Sequence, residues 1–275
     1  MGSDLDIWGV SKRYGAGSGS VLAIEDITLH VRQGEFVSVI GPSGCGKSTL
    51  FNAIGGMIGG YDGEIRVGGE RIEGTHKDIG IVFQEESTFP WRTVLENVAL
   101  PLELTGVRKQ ERERQARHYI DLVGLTGAEA RYPAELSGGM RQRTAIARTL
   151  AFRPKVLLMD EPFGALDEQT RLLLGDRVLR IHQELQQTTL LITHNITEAV
   201  QLSDRVVVMS YRPGRVLRVI DIDLPRPRGS ENIADAAFGH YVAQIWNDLR
   251  TEASRGMAEV ERDFTASPGV RVAHG

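Results

Sequence analysis

The sequence predicts an α/β protein built around one phosphate-binding loop. Residues 41–49 fit the pattern G-x-x-x-x-G-K-[ST], with a strand-like apolar run before them and a helix-like run after them. Short apolar runs of β character alternate with helix-like segments along much of the remaining chain, as α/β folds require. The 275 residues, 41% of them hydrophobic, are enough for one large globular domain or two small ones.

The loop assigns a chemical role to its own residues. Its glycines let the backbone turn N–H groups toward a phosphate, and the N-terminus of the following helix adds partial positive charge. Lys47 is then expected to reach the β- and γ-phosphates of a nucleotide, and the Ser48 hydroxyl to bind Mg²⁺. The predicted nucleotide-binding residues of the loop are Gly41, Pro42, Ser43, Gly44, Cys45, Gly46, Lys47, Ser48 and Thr49.

Cys45 is the only cysteine of the chain, so no intrachain disulfide can form, which suits a reducing compartment. A thiol among the N–H groups of a helix N-terminus is expected to have a lowered pKa. The position therefore predicts a reactive thiol that ATP protects. The alternative is that Cys45 is only a small residue that fits the loop.

Composition and charge argue against other classes of protein. The formal net charge of −4 argues against a nucleic-acid binder that relies on neutralising phosphates. No uninterrupted apolar run is long enough to cross a bilayer, and the first residues lack the basic and apolar parts of a secretory signal. A role at a membrane would therefore need a partner that supplies the span.

The N-terminal part of the chain predicts strands. Segments 5–14 and 21–31 have β character and are joined by a glycine- and serine-rich connection. The first ends at Tyr14, whose ring could stack on a base, although packing is the commoner role of a tyrosine at a strand end. Short strands follow the phosphate loop at 63–67, 70–72 and 79–83. The last is closed by Gln84, whose side-chain oxygen could reach a metal or a water.

The middle of the chain predicts helices. Residues 93–96 have the sequence of a capping box, and Pro101 predicts a kink or break in the helix that follows. The charged stretch 108–122 reads as an exposed helix. Ser137 is a natural N-cap that leads into a helix at 144–152, and the glycines that follow it leave a second potential anion site open.

Two later strands end in polar side chains. Strand 156–160 brings Asp160 to its tip, where the carboxylate can hold Mg²⁺ through water. The adjacent Glu161 points elsewhere because side chains alternate along a strand, and it is therefore free to act as a general base. Strand 189–193 ends at His194, for which we expect a phosphate-sensing role. Further helices are predicted at 168–187 and 196–202, and further strands at 205–209 and 216–224.

The C-terminal part is predicted to be separate from the main domain at 1–225. Residues 225–230 read as a linker, and the stretch from 266 onward reads as a frayed tail. Between them an amphipathic helix is predicted from apolar residues that recur every four positions, namely Ile233, Ala237, Tyr241, Ile245 and Leu249. It could pack on the main domain or meet a partner. The predicted division is thus 1–225 and 226–275.

In combination these motifs resemble the nucleotide-binding subunit of ABC transporters. The matching motifs are the Walker A loop at 41–49, the Q-loop at Gln84, the ABC signature at 136–143, Walker B at 156–161, the D-loop at 164–167 and the switch histidine His194. The resemblance covers about residues 5–224. It implies a P-loop NTPase (RecA-like) core, an N-terminal antiparallel β subdomain, and an α-helical signature subdomain inserted at 85–155.

The resemblance also implies roles for single residues. Tyr14 would stack on adenine. Ser48, Gln84 and Asp160 would surround Mg²⁺, Glu161 would polarise the attacking water, and Lys47 and His194 would contact the γ-phosphate. Ser137, Gly138 and Gly139 would contact ATP held by a second copy of the chain, so that two copies share each site.

A finer resemblance points to bacterial importers of the nitrate, sulfonate and taurine type. It rests on residues 89–91, 93–98, 162–167 and 212–215. It implies an ATPase peripheral to the cytoplasmic face of the inner membrane. There it would contact permease subunits through residues 84–91 and serve a solute-binding protein that delivers a small anion. The alternatives are the ATPase of an exporter or lipid-trafficking system, and a soluble ABC ATPase that acts on DNA or ribosomes.

Overall fold

The chain forms two β-sheets, with helices packed against the larger one. The structure, a computed structural model, describes residues 2–85, 87–164, 166–226 and 228–266, with the backbone alone at 18 and 260–266. The strands are β1 (Leu5–Tyr14), β2 (Val21–Val31), β3 (Phe36–Ile40), β4 (Asp62–Val67), β5 (Glu70–Arg71), β6 (Ile79–Val82), β7 (Val156–Asp160), β8 (Thr188–Ile192), β9 (Arg205–Met209) and β10 (Val216–Asp221). The helices are α1 (Lys47–Ile54), α2 (Val94–Leu104), α3 (Lys109–Leu122), α4 (Gly138–Ala151), α5 (Glu168–Leu185), α6 (Ile196–Leu202) and α7 (Ala236–Ala266).

The larger sheet has the strand order β10-β9-β3-β8-β7-β6. All its pairings are parallel except that of β10 with β9, which is antiparallel. Strands β3 and β8 are buried along their whole length, as their apolar sequences require when both faces are covered. Because parallel strands end at the same edge, the segments that follow β3, β6, β7 and β8 are brought together there.

The smaller sheet is antiparallel, with the order β2-β1-β4-β5. Its inner face supplies Ile7, Ile24 and Ile65 to a core shared with Phe51 of α1 and Val39 of β3. The antiparallel sheet is therefore fixed to the strand and helix that flank the phosphate loop. This arrangement, with the helical segment described next, confirms the predicted fold class.

Helices α2, α3 and α4 lie between β6 and β7 in the chain, although these two strands are neighbours in the sheet. The three helices pack on one another through a common apolar core that includes Val98, Leu102, Tyr119 and Ile146. The capping box predicted at the start of α2 is present. Pro101 does not break α2, which continues to Leu104. We attribute this to the packing of α2, which offsets the roughly 3 kcal/mol that an internal proline costs.

Helix α4 begins earlier than the sequence predicted. Its first residue is Gly138 rather than Thr144, and the Ser137 hydroxyl accepts a hydrogen bond from the Met140 N–H at 3.4 Å. The predicted N-cap is therefore correct. The glycines that follow it form the first turn of the helix instead of a loop before it.

The C-terminal helix α7 packs back on the main domain, one of the two options left open by the sequence. Phe238 and Ile245 are buried in a core with Ile40, the last residue of β3. Ala237, predicted to belong to the apolar face of this helix, is exposed, and the neighbouring Phe238 is buried in its place. The predicted tail at 267–275 lies outside the described residues. Among the described helices, we find none with the length and apolarity needed to cross a bilayer.

The predicted linker is anchored to the core. Arg228 is buried, and its guanidinium donates hydrogen bonds to the carbonyl oxygens of Val200 and Ile222, each at 3.3 Å, and to that of Ser203. Burial lowers the pKa of Arg228 to about 10. The segment between β10 and α7 is thus held by backbone acceptors that the sequence pattern does not reveal.

Candidate functional site

A cavity of 540 Å³ opens at the carboxyl edge of the parallel sheet, above the phosphate loop. It is lined by Tyr14, Val21, Ala23, Ser43, Gly44, Gly46, Lys47, Ser48, Thr49, Glu161 and Arg212. Residues from the antiparallel sheet, from the phosphate loop and from the end of β7 therefore meet in one place. Of the predicted loop residues, Gly41, Pro42 and Cys45 do not line it.

The backbone of the loop is shaped by glycines at two positions. Gly44 and Gly46 have φ of +74° and +94°, values that residues other than glycine rarely adopt. A Cβ at Gly46 would lie 2.5 Å from Cγ2 of Ile24, so only glycine fits. Helix α1 begins at the next residue without a side-chain cap. Its first N–H groups are therefore available to an anion in the cavity.

Lys47 lies across the loop. Its Nζ donates to the carbonyl oxygens of Gly41 at 2.8 Å and Pro42 at 3.0 Å. These bonds hold the ammonium group at the cavity wall, beside the N–H groups of α1. The arrangement places a fixed positive charge where phosphates are predicted to bind.

The predicted reactivity of Cys45 is wrong. The side chain is fully buried, and burial raises the pKa of its thiol, with the nearby Lys47 opposing the shift only in part. The Cys45 Sγ would lie 2.7 Å from a Cβ built at Gly41, so the thiol fills the space beneath the loop. The alternative, a small residue that fits, is the one that the structure supports.

Three of the predicted catalytic side chains meet at the end of β7. The Glu161 Oε2 lies 3.1 Å from Nδ1 of His194 and 3.5 Å from Nε2 of Gln84. Glu161 has φ of +42°, and its N–H donates to the Ile192 carbonyl at 2.8 Å, which ties the ends of β7 and β8 together. A non-glycine residue in this conformation is strained, which makes Glu161 a candidate for a functional role.

This geometry makes Glu161 the candidate base. Its carboxylate faces the cavity, at hydrogen-bond distance from a histidine that is more than half exposed. A carboxylate held in this way can accept a proton from a water in the cavity. Asp160 precedes it in the strand and is partly buried. Burial raises the pKa of Asp160, the charge of Glu161 raises it further, and Lys47 opposes both.

The predicted magnesium ligands can be tested on the chemistry of their donors. Ser48 lines the cavity, and Asp160 directly precedes the lining residue Glu161, so the hydroxyl and the carboxylate supply hard oxygen donors of the kind that Mg²⁺ prefers. Asp160 and Glu161 are adjacent acidic residues, and a bound Mg²⁺ would neutralise their negative charge. Within the described ranges, no group of three or more His, Cys, Asp or Glu residues is arranged to hold a metal. The donors present fit an ion completed by water and phosphate oxygens.

Ser137, Gly138 and Gly139 do not lie in this cavity. They form the N-terminus of α4, where Ser137 is exposed, and a Cβ at Gly139 would lie 3.0 Å from Leu166 Cδ2. A single copy of the chain therefore does not bring the second glycine turn to the phosphate loop. Any contact of these residues with a nucleotide would have to be made to another molecule.

Sequence reasoning missed the role of Asn97. Its buried amide donates to the carbonyl oxygens of Phe89, Arg92 and Thr93 at 2.9 to 3.1 Å, and its oxygen accepts from the Phe89 N–H at 2.8 Å. These bonds fix the loop that displays Trp91, whose surface is 70% exposed. The Asn-Val pair after the capping box was the only sequence signal.

Arg212 was also missed as a cavity residue. It follows β9 and lies 168 positions from Gly44 in sequence, yet its Nε donates to the Gly44 carbonyl at 3.0 Å. In the sequence, residues 212–215 are recognisable only as part of the resemblance to importers.

Known proteins resemble this chain in sequence and in fold. A family model described as ABC transporter matches residues 24–164. The nitrate import ATP-binding protein of Synechocystis is 48% identical over 221 residues, 80% of this chain and 83% of that protein. The aliphatic sulfonates import ATP-binding protein of Bacillus cereus is 46% identical over 224 residues, 82% of this chain and 88% of that protein.

Two further likenesses extend the comparison. An uncharacterised ABC transporter ATP-binding protein of Methanocaldococcus jannaschii is 45% identical over 253 residues, 92% of this chain and 94% of that protein. The dimeric ATP-binding cassette MJ0796, solved in a post-hydrolysis state with ADP and Pi, has a TM-score of 0.72 and 32% identity. That likeness covers 80% of this chain and the whole of the solved one.

Proposed function

We propose that this chain, which belongs to the ABC transporter family of ATP-binding proteins, powers the import of a small anion through a membrane permease. The ATPase activity coupled to transport is that of the family. The direction of transport and the class of solute are the proposal. The observation that carries it is the similarity to ATP-binding proteins named for nitrate import and for sulfonate import.

Within one copy, the cavity above the phosphate loop is the proposed ATP site. The N–H groups of the loop and of α1 bind the phosphates, Lys47 contacts the β- and γ-phosphates, and Tyr14 stacks on adenine. Glu161 orients the attacking water, and His194 and Gln84 hold Glu161 and sense the γ-phosphate. Mg²⁺ held by Ser48, Asp160 and Gln84 would neutralise charge on the phosphates.

Two copies are proposed to share each ATP. The exposed N-terminus of α4 carries Ser137, Gly138 and Gly139 away from the cavity of its own chain. Docked on a second copy, these residues would add N–H donors to the far side of the γ-phosphate. The dimeric state of the solved relative with ADP and Pi supports this arrangement.

The permease is proposed to bind at residues 84–91. Gln84 contacts Glu161 at one end of this segment, and Trp91 is exposed at the other. The Phe89 and Trp91 rings pack at a tilt of 54° with their centroids 5.6 Å apart, and the Arg148 guanidinium lies 5.0 Å from the Phe89 ring. A change at the γ-phosphate could thus reach an aromatic surface suited to a helix of the permease.

The proposal includes an arrangement of the chain and of its surroundings. Residues 1–225 form the nucleotide-binding domain, with the helical subdomain at 85–155, and residues 226–275 form the C-terminal extension. The chain would bind to the cytoplasmic face of the inner membrane through the permease and serve a solute-binding protein outside. No nucleic acid is needed.

Transport in proteoliposomes tests this function. Vesicles that contain this chain on its permease, with the chain and ATP inside and the binding protein outside, should take up labelled nitrate or a sulfonate. A matched preparation with Glu161→Gln should not. ATP-dependent efflux, or uptake that the Glu161→Gln preparation matches, would contradict the proposal.

A further inference from the structure

We propose that Arg212 binds a phosphate group of the nucleotide and that the C-terminal helix α7 sets its position. The inference rests on the proposed ATP site and extends it to two parts of the chain that the phosphate-loop motifs do not include. One part is the loop at 210–215, between β9 and β10. The other is α7, which follows the nucleotide-binding domain in sequence.

The Arg212 guanidinium lies over the phosphate loop. Its Nε donates to the Gly44 carbonyl at 3.0 Å, and its Nη2 would lie 3.0 Å from a Cβ built at Gly44. The side chain lines the same cavity as Ser43 and Lys47. Among the described residues, no Asp or Glu lies within ion-pair distance of Arg212. Its charge is therefore available to an anion in the cavity.

The chemistry of this group selects phosphate. A guanidinium has five donors in a planar fork, and the bond from Nε to Gly44 uses only one of them. The remaining donors match the oxygens of a phosphate, which they can bind in pairs. The neighbouring N–H groups of the loop are directed at the same kind of ligand. Arg212 would thus add a second cation opposite Lys47.

The 210–215 loop is packed tightly on the phosphate loop. The Gly214 N–H donates to the Ala23 carbonyl at 3.0 Å, and the Gly214 carbonyl accepts from the Glu25 N–H at 2.9 Å. A Cβ at Gly214 would lie 1.9 Å from the Cys45 carbonyl oxygen, so the two backbones are in direct contact. A shift of this loop would therefore move Arg212 relative to the phosphate loop.

Helix α7 holds the other side of the same loop. The Glu252 carboxylate is buried, and its Oε2 accepts a hydrogen bond from the Tyr211 N–H at 2.9 Å. One turn further, Gly256 lies against the Tyr211 ring, where a Cβ would come within 2.8 Å of a ring carbon. Arg212 itself lines a second cavity of 540 Å³ between the loop and α7. The residue before Arg212 is thus fixed by the helix.

These contacts form one continuous connection from α7 to the phosphates. Glu252 and Gly256 position Tyr211, the chain at Tyr211 positions Arg212, and Arg212 faces the nucleotide. Tyr211, Glu252 and Gly256 act as positioning residues, and only Arg212 touches the ligand. A partner that pulls on α7 would change nucleotide affinity without entering the cavity.

Equilibrium binding of a fluorescent ATP analogue to the full chain tests the role of Arg212. Arg212→Gln should raise the Kd for ATP and ADP at least tenfold, as expected for a lost charge-assisted bond. Arg212→Lys should recover part of this affinity. Competition by adenosine, which has no phosphate, should be unchanged. Arg250→Gln, which removes an exposed charge of α7, is the control and should bind as the wild type.

A second set of variants tests the role of α7. Glu252→Ala should weaken ATP binding, and adding it to Arg212→Gln should cause little further loss, because both act through one contact. Gly256→Ala favours helix formation but forces the Tyr211 ring aside. It should therefore weaken ATP binding without lowering the melting temperature, an effect that general destabilisation does not produce.

Lys47→Ala distinguishes failure of the proposed ATP site from failure of the proposed role of Arg212. If it loses ATP binding while Arg212→Gln binds within twofold of the wild type, the role of Arg212 is refuted and the ATP site stands. If Lys47→Ala binds ATP normally, the ATP site itself is refuted, and the role of Arg212 with it. If Glu252→Ala and Gly256→Ala both bind as the wild type, the role of α7 is refuted.

Discussion

The Glu161 carboxylate is positioned by its backbone and by two side chains from different strands. The strained φ of this residue turns its side chain into the cavity, where His194 and Gln84 approach the same oxygen. The strand tip alone would not provide this orientation. The proposed role of Glu161 therefore depends on the parallel sheet as a whole, which aligns the ends of β6, β7 and β8.

Burial of Cys45 leads to a prediction that opposes the one made from its position in sequence. The raised thiol pKa and the lack of exposure should make alkylation by N-ethylmaleimide slow in the native chain. We expect the rate in urea to be at least ~10-fold higher, since unfolding exposes the thiol. Mg-ATP should change the native rate little. Rapid native labelling that ATP suppresses would restore the reactive-thiol interpretation.

Glu198 predicts a pH dependence of stability. It lies four residues after His194, and its carboxylate accepts a hydrogen bond from the Thr193 hydroxyl at 2.6 Å. Burial raises the pKa of Glu198 from its ordinary value of about 4.5 to about 7, with Thr193 and Arg171 opposing the shift and Glu161 adding to it. Because the folded state holds this proton more tightly than the unfolded state, stability should fall as pH rises from about 4.5 to about 7.

The matched experiment compares the wild type with Glu198→Gln in urea unfolding between pH 5 and 8. As pH rises, the free energy of unfolding of the variant should increase relative to that of the wild type by up to about 3 kcal/mol. One pKa unit corresponds to about 1.4 kcal/mol. The difference between the unfolding free energies of variant and wild type is needed because His182 makes the stability of both change with pH in the opposite direction. Burial lowers the pKa of His182 to about 4, so its protonation destabilises the fold as pH falls below about 6.5. A pH-independent difference would contradict the assignment to Glu198.

At the scale of elements, the start of α2 is rigid because Asn97 satisfies four backbone groups of the preceding loop. Asn97→Ala removes all four side-chain bonds, so that the Phe89 and Thr93 carbonyls keep only their backbone donors, and it should lower the free energy of unfolding by about 2–3 kcal/mol. ATP binding should persist, because Asn97 does not line the cavity. The stimulation of ATPase activity by the permease should fall.

The control for this variant is Asn247→Ala, which removes an exposed amide of α7. It should leave both the urea midpoint and the permease stimulation at wild-type values. If Asn97→Ala retained full permease stimulation in spite of its lower stability, residues 84–91 would not be the docking surface. If it lost ATP binding instead, the loop would belong to the nucleotide site.

At the scale of the whole molecule, the success of sequence reasoning depended on distance along the chain. The phosphate loop and the strand tips at Asp160 and His194 could be predicted because each is a local pattern of strand, turn and polar residue. Arg212 could not, since only the folded chain brings it to Gly44. The burial of Cys45 was missed for a related reason, because Gly41 and neighbouring strands cover it. Of the two outcomes that Pro101 predicted, a kink or a break, the break does not occur, because α2 continues to Leu104.

In the proposed arrangement, one copy of the chain provides half of each ATP site and a second copy completes it. The most direct test is the mass of Glu161→Gln in solution, measured by light scattering after size exclusion. With Mg-ATP the measured mass of the variant should be twice the 30.3 kDa of one chain. With Mg-ADP it should be that of a monomer. A Glu161→Gln chain that binds ATP yet stays monomeric would contradict the shared site.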